Sequence, residues 1–539
     1  MQHELRGADI LWGALKRGGV TRVFSLSGNH IMEVYDAAFG DNISIIHVRH
    51  EAAAVHMAEA WARLTGEVGV ALVTGGQGHS NACAALPTVM AGEVPVLLLS
   101  GHAPTDQLGM GAFQETPQVA MAAPLTKAAW LAESTAGLAQ DVAKAFAIAR
   151  GGRPGPVHIS LPTDVLEGKA APILPDEAAY AAPAMGLAPE STKAMLAAIH
   201  AAERPLIVVG SALNNPAGTA ARAALEAALG LPSVMMESPR GLNDPSLGSF
   251  AEALEQADLM VLLGKPLDFT LKFGNAAPKA RFIAIEPDGA LVTRAQKGLG
   301  ARLALVAMAS PFEACTALAA AATPHPNAAW GAFTREVLAY RPPGWAQYRD
   351  RAGAPIHPAT LAMALQQHLG EDTSLMLDGG EVGQWMQAIL KGRERITNGV
   401  AGAIGAVTCF AIAARAARPE GKVVACMGDG TFGFHMAEFD TAVRHNLPFV
   451  CIVGNDGVWN AEYQIQKRDY GADRAHGCDL GKATRYDLVA SALGGHGEFV
   501  TRFEELHPAL ERAFASGKPA VVNVLIEGQP APGLRRPAA

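Results

Sequence analysis

Residues 423–460 read VVACMGDGTFGFHMAEFDTAVRHNLPFVCIVGNDGVWN, and this stretch decides the fold. Its two apolar runs are typical of buried strands, and the segment between them is typical of a helix. Such a βαβ unit predicts two parallel strands, which can be neighbours in one sheet. Asp429 and Asp456 then both follow carboxyl ends of strands, where two carboxylates would repel each other unless a cation lay between them.

Asp429 and Asp456 are therefore candidate metal ligands. Oxygen ligands from two strand ends suit Mg²⁺, whose octahedral coordination is commonly completed by phosphate oxygens. Gly428 and Gly430 allow backbone N–H groups to approach phosphate, and Thr431 adds a hydroxyl near a helix start. An isolated Gly-Asp-Gly is more often a tight turn, but the βαβ context favours a Mg²⁺-diphosphate site.

The order Gly-Asp-Gly, a helix-length spacer and then Asn with an acidic or amide partner resembles the diphosphate motif of thiamine-diphosphate-dependent enzymes. The resemblance implies that Asp429, Asp456 and the backbone carbonyl of Val458 bind Mg²⁺. The family usually has a second Asn at the position of Asp456. The aspartate is a good Mg²⁺ ligand but adds a negative charge.

Glu51, in VRHEAAAVHMAEAWAR, stands at a strand end just before a helix. By itself it could be an acidic residue favoured by the helix dipole. The segment also resembles the one that supplies the family's activating glutamate. That residue hydrogen-bonds the pyrimidine ring of the cofactor and favours the imino tautomer that deprotonates the thiazolium carbon.

The resemblance extends to further loops. DGGEVGQW and GVAGAIGAV resemble the loops that embrace the cofactor. Ile404 aligns with the bulky residue that bends the cofactor, although it could equally be a core isoleucine. The other cofactor-binding residues implied are Gly28, Gly379, Gly380, Glu381 and Gly402. In this superfamily the cofactor lies between two subunits, so a homodimer or homotetramer with active sites at the interface is implied.

Alternating strand and helix patterns predict an α/β protein with three doubly wound parallel-sheet domains. The resemblance identifies them as pyrimidine-binding, middle and diphosphate-binding domains. The predicted limits are 1–165 for the first domain, 166–189 for a linker, 190–325 for the central Rossmann-like domain, 326–356 for a second linker, 357–528 for the third domain and 529–539 for a mobile tail or lid.

The loop GMGAFQETPQVAM resembles that of acetohydroxyacid synthases and 2-hydroxyacyl-CoA lyases, and implies that Gln114 and Glu115 point towards the reacting centre; a solvated pair is the alternative. SLSGNHIMEVYDA resembles benzaldehyde lyase, where a histidine faces the substrate. Here that residue is His30, beside Asn29. Gly383, Trp459 and Tyr463 are candidate substrate-pocket residues, although aromatic residues at such positions are as often part of the core.

VLLLGKPLDFTLKFG, in the central region, resembles the 2-hydroxyacyl-CoA lyase and oxalyl-CoA decarboxylase branch, which holds ADP or CoA in the middle domain. The run typical of flavin-containing synthases is missing, so FAD is not expected. Pro266 replaces the arginine of the lyase pattern, which puts CoA binding in doubt. Lys265, Arg240 and Glu286 are candidate nucleotide contacts.

The resemblance therefore implies a C–C bond lyase or carboligase that cleaves or forms 2-hydroxyacyl-CoA (acyloin-type) compounds through a C2 ylide and a covalent thiazolium adduct. The alternative is an acetolactate-synthase-like carboligase or decarboxylase acting on free 2-oxo acids without CoA. A non-catalytic relative that only binds nucleotide or a partner is a further alternative, but binding alone needs no activating glutamate.

Composition limits the remaining classes. Half of the 539 residues are apolar, 17% are charged and the net charge is −8, which is typical of a globular protein and gives no reason to expect a nucleic-acid partner. No apolar run is long enough to span a membrane, and the first residues form an amphipathic helix pattern rather than a signal peptide. A soluble cytoplasmic protein with small-molecule substrates and six reduced cysteines is expected.

Overall fold

The computed structural model describes residues 4–536. Residues 1–3 of the predicted first domain and residues 537–539 of the predicted tail lie outside this range. Within it, three parallel sheets with helices packed against them account for most of the chain. This confirms the predicted α/β class.

The first domain contains a six-stranded parallel sheet in the order β3-β2-β4-β5-β7-β6, together with the two-stranded antiparallel pair β1-β8. Its strands are β1 (Leu5–Arg6), β2 (Arg22–Leu26), β3 (Ser44–His47), β4 (Gly69–Val73), β5 (Val96–His102), β6 (Ala128–Leu131), β7 (Pro156–Pro162) and β8 (Lys169–Ala170). Its helices are α1 (Gly7–Arg17), α2 (Met32–Ala37), α3 (Glu51–Thr65), α4 (Gln77–Cys83), α5 (Leu86–Gly92), α6 (Gln118–Ala122), α7 (Leu138–Arg150) and α8 (Thr163–Glu167).

The central domain contains a five-stranded parallel sheet in the order β10-β9-β11-β12-β13. Its strands are β9 (Pro205–Val209), β10 (Ser233–Met235), β11 (Leu259–Leu263), β12 (Arg281–Ile285) and β13 (Leu303–Ala307). Its helices are α9 (Pro189–Ala201), α10 (Pro216–Leu229), α11 (Ala251–Gln256), α12 (Gly289–Leu299), α13 (Pro311–Ala321) and α14 (Ala328–Ala339).

The third domain repeats the topology of the first, with the parallel order β15-β14-β16-β17-β19-β18. Its strands are β14 (Ser374–Leu377), β15 (Glu394–Thr397), β16 (Val423–Gly428), β17 (Val450–Asn455), β18 (His496–Val500) and β19 (Ala520–Leu525). Its helices are α15 (Pro358–Gln366), α16 (Gly380–Ile389), α17 (Val407–Ala417), α18 (Asp429–His435), α19 (Glu438–Arg444), α20 (Asn460–Asp469), α21 (Tyr486–Ala492) and α22 (Phe503–Ala515).

The predicted βαβ unit is confirmed, because β16 and β17 are parallel neighbours with Gly428 opposite Gly454. In both six-stranded sheets the strand order reverses between two neighbouring strands, and the chain connections on either side of this switch point run in opposite directions. The two strands are β2 and β4 in the first domain, and β14 and β16 in the third domain. Ligands of doubly wound sheets bind at this switch point, outside the carboxyl ends of the strands. The topology therefore creates two equivalent crevices.

The predicted linker 326–356 is wrong in its first half. Residues there form α14, which packs on the central domain with Trp330 and Val337 buried in its core. The indole Nε1 of Trp330 donates a hydrogen bond of 2.8 Å to the carbonyl of Pro205. The connection to the third domain therefore begins after α14.

The first and third domains share one hydrophobic core. Helices α3 and α17 pack against each other, and both are buried along almost their whole length. Their carboxyl ends lie together, since Nη2 of Arg418 donates to the carbonyl of Leu64 at 2.9 Å. Alanine dominates both helices, and small side chains allow helices to approach closely.

Candidate active site

Glu51 is the first residue of α3, at the carboxyl edge of the first sheet. It is 8% exposed, and its Oε2 accepts a hydrogen bond of 2.9 Å from Nδ2 of Asn81. The other oxygen faces Gly78, where a side chain would come within 3.3 Å of it. One carboxylate oxygen is thus held in place by Asn81, while the other lies beside the backbone of Gly78. The sequence analysis missed Asn81, although it stands in the Gly-rich loop-helix segment GGQGHSNA.

His30 lies near Glu51, on the loop after β2. Its ring is buried, stacks on Phe113 with centroids 5.8 Å apart and approaches Oγ1 of Thr74 at 3.4 Å. Burial lowers the pKa of His30, which favours the neutral imidazole. Gly28 is needed here because a side chain would come within 2.5 Å of Thr74. Asn29 is exposed beside it.

The loop before α6 positions Gln114 but turns Glu115 away from the predicted role. The Glu115 carboxylate accepts hydrogen bonds from the backbone N–H groups of Gly109, Gly111 and Ala112 at 2.5–3.1 Å. These bonds lower its pKa. Glu115 therefore stabilises its own loop, and the prediction that it points to the reacting centre is wrong in this structure. Gln114 has a positive φ of 55° and its backbone packs on Gly76.

A cavity of about 240 Å³ lies at the switch point of the third sheet. It brings together most of the predicted diphosphate-side residues. They are Gly379, Gly380, Glu381, Gly402, Ile404, Gly428, Asp429, Gly430, Thr431, Asp456, Val458 and Trp459. The helices α16 and α18 begin at this cavity, so their unpaired backbone N–H groups and dipoles favour an anion there.

Asp429 and Asp456 lie in this cavity, as the βαβ unit predicted. Oδ1 and Oδ2 of Asp429 accept hydrogen bonds of 3.0 Å from the N–H groups of Gly430 and Gly457, so the carboxylate ties the two strand ends together. Burial raises the pKa of Asp429 to about 6. Burial, followed by the charge of Asp429, raises the pKa of Asp456 to about 7. Both carboxyl groups are costly to ionise in this environment, and a divalent cation between them would compensate their negative charges.

Asp378 organises the loops around the cavity, and the sequence analysis did not identify it. It is fully buried at the end of β14, where its carboxylate accepts hydrogen bonds from Gly379 N at 2.6 Å and Gly405 N at 2.9 Å. Burial raises its pKa to about 6. Asp378 is the first residue of the DGG motif, and this position is the signal from which the sequence could have identified it. Asn398 packs so closely that a side chain at Gly379 would come within 2.7 Å of it.

Two predicted pocket residues lie outside the cavity. A side chain at Gly383 would come within 2.1 Å of the Asp378 carbonyl, so this glycine serves the close packing of α16 on its strand. Tyr463 lies one turn into α20, under Lys467, whose Nζ is 5.9 Å from the ring. Trp459 does line the cavity, and its ring leaves room only for glycine at position 430.

Of the three candidate nucleotide contacts, Lys265 and Glu286 lie at the carboxyl edge of the central sheet, and Arg240 lies apart from them. Arg240 reaches the mouth of the cavity and donates to Glu381 at 3.0 Å. Lys265 is buried against Asp268, with Nζ 2.8 Å from its Oδ2. Glu286 accepts from the guanidinium of Arg153, a residue of the first domain. Each candidate is thus engaged by a partner within the chain.

The tail as far as residue 536 is held across the third and central domains. Nε1 of Trp385 donates to the carbonyl of Pro530 at 3.0 Å, and the N–H of Ala531 donates to the Glu381 carboxylate. Arg536 forms ion pairs with two acidic residues of the central domain. In this conformation the predicted mobile tail is a strap beside the cavity.

The diphosphate side fits the cofactor that the resemblance implies. Among residues 4–536 no group of three His, Cys, Asp or Glu side chains could hold a metal ion. A cation at Asp429 and Asp456 would therefore need backbone and ligand oxygens to complete its shell, which is typical of Mg²⁺ bound with a diphosphate. The cavity is lined by the third domain and by Pro239 and Arg240 of the central domain. Glu51 is not among the residues that line this cavity.

None of the helices within residues 4–536 is both long enough and apolar enough to span a membrane.

Family models match three segments of the chain. The thiamine pyrophosphate enzyme N-terminal TPP binding domain matches residues 5–121, the central domain matches 192–318 and the C-terminal TPP binding domain matches 378–524.

Curated relatives match over nearly the whole chain. The acetolactate synthase large subunit IlvG of Mycobacterium tuberculosis is 33% identical over 529 residues, which cover 95% of this chain and 94% of that protein. The 2-hydroxyacyl-CoA lyase 2 of Danio rerio is 30% identical over 580 residues, covering 97% and 92%. The catabolic acetolactate synthase of Raoultella terrigena is 30% identical over 558 residues, covering 97% and 95%.

Proposed function

Because the chain belongs to the thiamine pyrophosphate enzymes, we propose that it is a thiamine-diphosphate- and Mg²⁺-dependent C–C lyase or carboligase of small acyloin-type compounds. One observation carries the proposal. The chain has both a buried glutamate at the carboxyl edge of the first sheet and, at the same edge of the third, the buried Asp429 beside the half-buried Asp456.

The third domain would hold the cofactor by its charged end. Asp429, Asp456 and the backbone carbonyl of Val458 would bind Mg²⁺. The N-termini of α16 and α18 would receive the diphosphate. When bound, thiamine diphosphate supplies a nucleophilic carbon that attacks a substrate carbonyl and stores the electron pair released when a C–C bond breaks.

The first domain would supply proton chemistry. Glu51 would hold a proton at the pyrimidine ring nitrogen, and Asn81 orients its carboxylate so that the free oxygen faces outward. His30 is buried and its pKa is lowered by burial, so it can accept or donate a hydrogen bond at a substrate oxygen. Gln114 would contact the substrate from the opposite loop. A buried site strengthens each of these interactions by excluding water.

Two chains would be needed for a complete site. The aspartate cavity is lined by no first-domain residue, and Glu51 is bonded within its own domain. Placing the first domain of one chain against the cavity of a second chain would join the two crevices. We therefore propose a homodimer as the minimum active unit, with each site at the subunit interface.

Free 2-oxo acids and acyloins are the substrate class that the geometry favours. Lys265 and Glu286 are buried and pair within the chain, and Arg240 pairs with Glu381 at the mouth of the cavity, so each of these side chains already has a partner in place of a nucleotide. The similarity to two acetolactate synthases points in the same direction.

A second candidate substrate class is 2-hydroxyacyl-CoA. A groove of about 510 Å³ between the central domain and the tail carries Lys272 and Arg535. The residues that line this groove begin at Leu242, soon after Arg240 at the mouth of the cavity. The groove could therefore receive a long anionic substrate. The similarity to 2-hydroxyacyl-CoA lyase 2 supports this candidate.

Turnover by the reconstituted protein tests the proposal. Protein loaded with thiamine diphosphate and Mg²⁺ would be offered pyruvate, an acyloin, a 2-hydroxyacyl-CoA, oxalyl-CoA, and formyl-CoA with an aldehyde. Glu51→Gln should lower kcat by roughly 10²- to 10⁴-fold while thiamine diphosphate still binds, as followed by near-UV circular dichroism. Full activity in Glu51→Gln, or binding of the cofactor without exchange of its C2 proton in the wild type, would contradict the proposal.

A further inference from the structure

The central sheet has the strand order of doubly wound sheets that bind ligands. Its order places β9 and β11 at the switch point, and a crevice lies outside their carboxyl ends. The loops that follow these strands touch each other, because a side chain at Gly210 would come within 2.1 Å of the Gly264 carbonyl. A cavity of about 280 Å³ lies here, lined by both loops and by Lys265 and Arg294.

In sheets of this kind, nucleotides use two kinds of group. Backbone N–H groups in the loop after the first strand bind phosphate, and a carboxylate at a strand end on the same edge of the sheet can accept hydrogen bonds from ribose hydroxyls. This chain has both groups. Ala212 provides an N–H two residues after Gly210, and Glu286 directly follows β12.

Both groups are already occupied by side chains of the first domain. Oε2 of Glu93 accepts a hydrogen bond of 3.2 Å from the N–H of Ala212, where a phosphate oxygen would lie. Nη1 of Arg153 donates to Oε2 of Glu286 at 2.5 Å and to the Gly264 carbonyl at 3.3 Å. The same guanidinium donates to Glu93, so a Glu93–Arg153–Glu286 triad, with both acids buried and the arginine half-buried, bridges the two domains.

The backbone at Glu93 supports this arrangement. Glu93 ends α5 with a φ of 55°, the left-handed conformation that is costly for a residue other than glycine. This geometry places a charged side chain, rather than the usual glycine, at the boundary with the central domain. The residue is 8% exposed.

The charges in the crevice also oppose a second anion. The triad carries two acids and one base, and the neighbouring Lys265 is neutralised by Asp268 at 2.8 Å. The buried groups therefore sum to a net negative charge. A diphosphate entering the cavity would have to displace Glu93 and would find Lys265 already paired.

We propose that Glu93 and Arg153 act as a built-in ligand of the central crevice, so that ADP and larger groups containing it, including FAD and CoA, are excluded from this position. The adenine nucleotide expected in the middle domain from the sequence therefore does not fit the residues present. This exclusion stands apart from the proposed catalytic function, because nucleotide binding is measured without turnover.

ADP binding to the dimeric holoenzyme tests the exclusion. Thiamine diphosphate and Mg²⁺ are kept saturating so that the catalytic cavity cannot take the diphosphate of ADP. Titration calorimetry then compares the wild type with Glu93→Ala, which frees the Ala212 N–H and the Arg153 guanidinium together. Arg294→Met in both backgrounds identifies binding in this crevice, because Arg294 lines it and is exposed.

The expected result is no Arg294-dependent ADP binding in the wild type and at least a tenfold gain in ADP affinity in Glu93→Ala, lost again when Arg294→Met is added. Glu93→Gly, which suits the φ of 55° and likewise removes the carboxylate, serves as a second variant if Glu93→Ala does not fold. The proposal is overturned if the wild type binds ADP in an Arg294-dependent manner. It is equally overturned if neither variant gains affinity, since Glu93 would then not be what excludes the nucleotide.

Discussion

Replacing Asp456 by asparagine should stabilise the metal-free third domain at alkaline pH. In the folded protein, burial and the charge of Asp429 raise the pKa of Asp456 from 3.8 to about 7. A shift of roughly 3 pKa units corresponds to about 4 kcal/mol. Asparagine keeps the shape of the side chain but removes its charge, so it relieves up to this amount of destabilisation.

The sign of the pH dependence follows from proton binding. Between about pH 4 and pH 7 the folded protein holds a proton on Asp456 that the unfolded chain has lost, because the folded pKa is raised to about 7. Stability of the metal-free wild type therefore falls as pH rises through this window. Below it Asp456 contributes nothing, and above it the full penalty applies. Asp456→Asn should lack this part of the pH dependence.

Hydrogen exchange of the β16 and β17 amides measures the effect directly, because these strands carry the aspartates and local opening is reported strand by strand. In EDTA at pH 8, and after correction for intrinsic rates, exchange in Asp456→Asn should be slower by up to about 1,000-fold, whereas at pH 5 the difference should be much smaller. Mg²⁺ with thiamine diphosphate should protect the wild type more than the variant, because the variant has lost a charged ligand.

The matched control is Asp473→Asn, which neutralises an exposed carboxylate on the turn after α20 and should leave exchange in both strands unchanged. Exchange rates in Asp456→Asn within threefold of the wild type at pH 8 would refute the reasoning. So would a wild-type protein whose protection is equal at pH 5 and pH 8, since Asp456 would then not be held in a charge-disfavouring site.

Three further predictions concern the two crevices and the strap. Gly454→Ala should destabilise the third domain by about 1–3 kcal/mol in thermal denaturation, because its side chain would come within 2.7 Å of the cavity residue Val382; an unchanged transition would contradict this packing. Asn81→Ala removes a hydrogen bond to a carboxylate worth about 1.5–3 kcal/mol, so kcat should fall at least about tenfold while cofactor affinity is kept, and unchanged kcat would mean that Glu51 needs no orientation. Arg536→Ala should speed limited proteolysis of the tail without shifting the global unfolding temperature, because the half-buried Arg536 and its two ion pairs hold only the tail; equal cleavage rates would show that the strap is held elsewhere.

The sequence predicted the interior of the sheets better than their edges. Central strands such as β5 and β17 are fully buried, so they appear as short continuous apolar runs. The strands β6, β13, β15 and β18 were not predicted from the sequence, and all of them lie at sheet edges and are partly exposed. β15 (ERIT) and β18 (HGEFV) carry charged residues, which removes the continuous apolar signal of a buried strand. β6 (AAWL) and β13 (LALVA) are apolar but rich in alanine, which is depleted in strands and favoured in helices.

Some residues of the candidate site could also be predicted from the sequence, and others could not. Asp429, Asp456 and Glu51 could be predicted because each immediately follows a recognisable strand, and strand ends converge at one edge of a parallel sheet. Glu115 and Gly383 could not be placed correctly. The first is turned inward by three backbone N–H groups of its own loop, and the second packs against a carbonyl from a neighbouring strand end. Neither contact is encoded in the residue type.

The α/β class, the resemblance to the family and the acidic residues at the strand ends could all be predicted from the sequence, because apolar periodicity and short-range spacing are local properties. Which side chains meet across domains depends on the tertiary structure. Glu93 and Arg153 show no motif, yet they occupy the central crevice because α5 and the loop before β7 pack against the ends of β9 and β12. Contacts between residues distant in the chain depend on how whole domains dock, and no local pattern records that docking.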